Sequence, residues 1–127
     1  MTKPIILLYN IEPARRQQIE MLAAMRNIKT RAVTPGEYGE SVGALCGVEA
    51  LERPRGLWNE FGEEMMVMGF FPQPLVSAFL DSFRQVSIPS VRLKAVLTET
   101  NMRWNSCQLR AELLREEAAF RAQMGKK

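Results

Sequence analysis

EMMVMGFFPQPLVSAFLDSFRQVSIPSVRLKAVLT, residues Glu64 to Thr98, sets the architecture of this chain, because it reads as strand, helix, strand. Met65, Met66, Val67 and Met68 form an apolar run that continues past Gly69 into Phe70 and Phe71, the pattern of a strand buried on both faces. Pro72 and Pro74 stop the strand. Pro74 suits a first helical turn, where its missing N–H would have no intrahelical partner anyway. Leu75, Phe79, Phe83 and Val86 then recur at helical spacing, widened by Val76 and Leu80, so one helix face should lie on a sheet. Ile88-Pro89-Ser90 ends the helix, and Val91, Leu93, Ala95 and Leu97 alternate with Arg92, Lys94, Val96 and Thr98 in a second strand with one wetter face.

Working back toward the start, Pro4 to Thr34 forms a looser copy of the same unit. Ile5 to Tyr9 is an apolar strand, Asn10 is placed to cap a helix with Pro13 in its first turn, and Ile19, Leu22, Ala23 and Met25 supply the buried stripe. Ile28 to Val33 alternates as Val91 to Thr98 does, which reads as an internal duplication of a strand-helix-strand unit. Two such units, with apolar first strands and alternating second strands, point to an α+β ferredoxin-like sheet with the first and third strands central and the second and fourth at the edges. A doubly wound parallel α/β sheet is the alternative. It accounts less well for the polar alternation at Lys29, Arg31, Arg92 and Lys94.

The domain plan is one domain over residues 1–127: a first unit over 1–34, a connector over 35–62, a second unit over 63–98 and a terminal helix over 99–127. In the connector, Ser41 and Gly47 bracket a short helix, Arg53-Pro54-Arg55-Gly56 marks a turn, and Leu57, Trp58 and Phe61 should fold back over the core. Gly39, Gly43 and Gly47 make no phosphate loop, since GEYGESVGALCG lacks the Lys-Ser/Thr of that motif and does not fit GxGxxG. Asn105 with Gln108 starts the terminal helix, which runs to about Met124. Leu109, Leu113, Phe120 and Met124 give it a narrow apolar stripe that covers the sheet or meets a second subunit or protein partner.

Apolar residues make up 46 % and charged residues 24 %, values of an ordinary soluble globular chain, and the first apolar run is too short for a membrane span, so the expected location is the cytoplasm. Net charge of +3 permits an acidic partner without demanding one. Cys46 and Cys107 stand far apart and make no metal motif. The chain has no histidine and a single aspartate, Asp81, which removes the usual neutral-pH base, the commonest metal ligand and carboxylate calcium loops. Glu63 and Glu64 are neighbours rather than a matched acid/base pair. No cofactor, catalytic residue or metal site is therefore expected, and a non-enzymatic binding or regulatory module is the reading.

Two candidate sites remain. Thr98, Asn101, Arg103 and Trp104 combine a hydroxyl, an amide, a guanidinium and an indole after the final strand, fit for a small anionic or planar ligand or for capping the strand-to-helix junction. Lys29, Arg31, Arg92 and Lys94 would share one side of the sheet if both edge strands keep register, a surface for nucleic-acid phosphates or a set of solvated charges that discourage sheet-to-sheet association.

KAVLTETNMRWNSCQLRAELLREE, together with MVMGFF, the helix to Phe83 and LLYN near the start, resembles an uncharacterised bacterial family, domain of unknown function 3783. The most distinctive positions are Lys94, Thr98, Asn101, Trp104 and Leu109. The resemblance implies a small bacterial cytoplasmic protein and brings no activity with it.

Overall fold

A computed structural model of the chain describes residues 3–48 and 60–125. The first unit is β1 (Ile5–Tyr9), α1 (Pro13–Met25) and β2 (Lys29–Ala32); the second is β3 (Met65–Gly69), α3 (Gln73–Gln85) and β4 (Leu93–Val96). Between them lies the short α2 (Val42–Leu45), and after β4 comes the long α4 (Ser106–Met124). The expected turn at Arg53 to Gly56, and the fold-back of Leu57 and Trp58, lie outside the described residues.

The four strands form one mixed sheet in the order β2-β1-β3-β4. β1 and β3 are central and antiparallel, with Leu7 opposite Val67, while β2 and β4 are the edges and run parallel to their own unit's first strand. The expected placing of strands at centre and edge holds. The ferredoxin-like order does not, because that arrangement splits each unit by inserting a strand between its two strands, whereas here β1 pairs directly with β2 and β3 directly with β4. The all-parallel alternative is also overturned, by the antiparallel β1–β3 pair. The polar alternation that argued against it belongs to edge strands, and an edge can be wet on one face in a parallel pair too.

Both faces of the sheet are covered. Ile6, Leu8, Met66 and Met68 pack beneath α1 and α3 against Ile19, Ala23, Phe79 and Phe83. Leu7, Tyr9, Met65 and Val67 pack on the other side against Tyr38, Val42, Leu45, Phe61 and Leu109. Strand alternation thus sends successive side chains of β1 and β3 into two separate cores, and both must be apolar. Met25 and Val86, read as members of their helices' buried stripes, are exposed, since Met25 is the last residue of α1 and Val86 is the C-cap just beyond α3.

The units match element by element. β1 begins at residue 5 and β3 at residue 65, α1 at 13 and α3 at 73, with equal strand and helix lengths. The chain turns through positive φ after each first strand, at Asn10 and Phe70, and after each helix, at Asn27 and Ser87. Asn10 therefore does not cap α1, whose N-cap is Glu12; its amide instead donates to the carbonyls of Phe61 and Glu63. Beyond the edge strands the match continues, because Ser41 caps α2 and Asn105 caps α4, and these two caps pair with each other across the molecule. Corresponding residues thus face each other twice, Leu7 with Val67 and Ser41 with Asn105, as they would about a pseudo-two-fold axis.

Candidate functional site

The junction after β4 is built by Asn101. Its Oδ1 accepts from the Thr98 N–H at 2.8 Å, its Nδ2 donates to the Val96 carbonyl at 3.0 Å, and its own N–H donates to the Thr98 hydroxyl at 3.0 Å. Thr98 and Asn101 are thus engaged in closing the turn that carries the chain from β4 into α4. Asn105 and Gln108 complete a reciprocal capping box at the start of α4.

This turn closes one end of a groove of about 430 Å³ between β4 and α4. Thr98, Asn101 and Trp104 line it, while Arg103 is exposed and stands outside the lining. Ala95, Leu109 and Leu113 form its apolar part, and Glu112 and Glu116, one helical turn apart, form its charged wall. On the opposite face of the sheet a second, smaller groove of about 320 Å³ runs between β4 and α3, lined chiefly by Leu80, Phe83, Ile88 and Val91. Lys94 lies on the rim of both, and its ammonium donates to the Val91 carbonyl at 2.8 Å.

Between these grooves lies the open backbone edge of β4. The N–H groups of Leu93 and Leu97 donate inward, to the carbonyls of Glu64 and Met68. Alternation turns the N–H and carbonyl of Lys94 and the N–H of Val96 outward. Of the outward groups at these two residues, the Val96 carbonyl is held by Asn101. The pairing pattern of β4, and not any side chain, was the signal for this edge, and alternation in the sequence alone could not assign it to one side.

Ion pairs fix α4 against the second unit. Arg110 binds Glu63 through two hydrogen bonds of 2.9 and 2.7 Å and lies over the Phe61 ring, and Arg92 grips Glu117 at 3.1 and 2.8 Å. These bonds hold the Glu63 and Glu117 carboxyls below the usual carboxylate range. The apolar stripe of α4 divides accordingly. Leu109 is buried and Leu113 partly buried on the chain's own sheet, whereas Phe120 and Met124 are exposed.

The four cations do not form one surface. Lys29 and Arg31 are on β2, whereas Arg92 and Lys94 are at the opposite edge of the sheet. Register places Lys29 and Arg31 beside Ile5 and Leu7 on the α2 and α4 face, but Lys94 beside Met66 on the α1 and α3 face. The shared side expected from alternation fails because the two edge strands are out of phase in how they pair with their neighbours. Arg31 is also engaged, by Glu37 and by the Leu45 carbonyl, as Arg92 is by Glu117. Cys46 is buried and Cys107 half-buried, and the two are not joined in a disulfide.

Among the described residues no helix is long and apolar enough to cross a membrane. Residues 64–120 match the model of a family described as Domain of unknown function (DUF3783). No curated protein matches the chain, and no solved structure matches it.

Proposed function

We propose a non-enzymatic binding module that takes an extended segment of a partner protein along the β4 edge, a reading that rests on the shape of the segment matching the DUF3783 model, residues 64–120. The observation that carries this reading is the outward-facing Lys94 N–H and carbonyl and Val96 N–H, set between one groove on each face of the sheet. Strand addition uses this combination: main-chain hydrogen bonds supply affinity, and pockets flanking the edge accept alternate side chains. Every lining residue of both grooves falls inside the matched segment. The matching edge at β2 is less open, because the Arg31 side chain reaches back along its groove to the Leu45 carbonyl.

The test is selection of peptides from an unbiased display library, followed by amide NMR of the labelled protein. Selected peptides should move the Lys94 and Val96 amide signals and slow the exchange of both. Val96→Pro supplies the control, since proline is tolerated on an edge where its missing N–H faces away from the sheet. It should abolish binding while leaving the melting temperature nearly unchanged. Selected peptides that bind the Val96→Pro variant as well as the parent chain would sink the proposal.

A further inference from the structure

Resting on the strand-addition reading, we infer that the segment taken at β4 alternates basic and apolar side chains, with arginine on the α4 side and an aliphatic residue on the α3 side. Successive side chains of an added strand point to opposite faces of the sheet, so each face of the edge selects its own residue class. The α3-side groove is apolar at its centre, through Leu80, Phe83, Ile88 and Val91, with the Asp81–Arg84 ion pair, Ser90 and the Val91-bound Lys94 at its rim. The α4-side groove offers Glu112 and Glu116 in line along the helix.

No cation inside that groove cancels both carboxylates. Arg115 reaches Glu112 from the exposed side of α4, the Lys94 ammonium is held by Val91, and Glu116 is exposed with no ion pair among the described residues. A long basic side chain entering here would lay its methylenes along Ala95 and Leu113 and bring its head to the carboxylates, as amphipathic side chains do on apolar surfaces with a polar rim. Trp104 at the closed end favours a planar guanidinium over an ammonium, because arginine stacks on aromatic faces. The chain's own edge residues disfavour a second copy as occupant. β2 would bring Lys29 and Arg31, but it is four residues long and Arg31 is committed to Glu37 and Leu45.

Three short fluorescent peptides test this: one alternating arginine and valine, one alternating glutamate and valine, and one alternating threonine and valine. Anisotropy gives affinity, and the Lys94 and Val96 amides report where each peptide sits. The arginine peptide should move both amides and bind roughly 5-fold or more tighter than the threonine peptide, the range expected for two solvent-facing charge pairs. That preference should shrink with added salt and vanish in the Glu112→Gln/Glu116→Gln variant, which gives up only the exposed Arg115–Glu112 ion pair and whose melting should nearly match the parent. If the threonine or glutamate peptide moves the same amides with equal affinity, the basic class is wrong while strand addition stands. If none of the three moves those amides, and display-selected peptides do not either, both readings fall together.

Discussion

Asn101 carries more of the local structure than any other polar side chain near the groove, and it separates a structural role from a ligand-binding one. Asn101→Ala leaves the Thr98 N–H and the Val96 carbonyl without their partner in a partly buried turn. The expected cost is about 1–3 kcal/mol, read as a lower urea midpoint at unchanged slope. A variant that kept full stability would move Asn101 from the turn to the ligand side of the account. The chemistry of Thr98 and Asn101 was legible in the sequence because short polar side chains after a strand bond nearby backbone. Asn10 was misread for a related reason. The same side chain that caps helices also tolerates positive φ, and at residue 10 the backbone takes φ 57° and aims the amide across to Phe61 and Glu63. Phe70, at φ 61°, gives no signal at all in sequence, since a bulky side chain is disfavoured there and only the fold holds it.

At the scale of the element, α4 is two things in one helix. From Ala118 to its end every residue is exposed, whereas Ser106 and Leu109 are buried and Arg110 and Glu117 are tied to Glu63 and Arg92. Removing residues from 118 onward should change stability by no more than about 0.5 kcal/mol, as for surface changes away from packed features, whereas a stop before Ser106 should prevent folding. Circular dichroism melts of the two truncations check this directly. The tie to Glu63 also has a pH signature. Glu63 has its native value depressed by the Arg110 hydrogen bonds, so its contribution is complete above the unfolded glutamate value of about 4.3. It is lost as pH falls through the lower native value. Stability curves of the parent chain and Glu63→Gln should therefore differ at neutral pH and converge on the acid side. Parallel curves would show that the pair adds nothing. The apolar stripe of α4 was visible from Leu109 to Met124, but helical periodicity does not say where the sheet beneath a helix ends.

For the whole molecule, the pairing of Leu7 with Val67 and of Ser41 with Asn105 makes the two halves a matched pair, and the sequence revealed only the βαβ part of that match. The connector hid the rest, because α2 is a single turn whereas its counterpart α4 runs for 19 residues, so the two helices share no recognisable pattern beyond a polar cap and a leucine four residues on. Strand order was equally hidden. A repeated strand-helix-strand pattern specifies which strands are apolar on both faces, but a split and an unsplit unit bury their first strands equally well. The halves are joined through the core as well as along β1 and β3, and the most telling joint is the 2.7 Å hydrogen bond between the Tyr9 hydroxyl and the Ser106 hydroxyl, both buried. Burial also raises the Tyr9 value far above the usual tyrosine range, so this hydroxyl stays neutral and depends on Ser106 for its partner. Ser106→Ala should then cost about 1–3 kcal/mol, the penalty of an orphaned buried hydroxyl. Adding Tyr9→Phe should recover part of that loss, because replacing both partners by apolar groups removes the orphan. Urea unfolding of the two single variants and the double variant closes the cycle. A double variant less stable than Ser106→Ala alone would mean that the Tyr9 hydroxyl holds the halves together by something other than the Ser106 bond, since phenylalanine keeps the ring contacts with Tyr38 and Phe61.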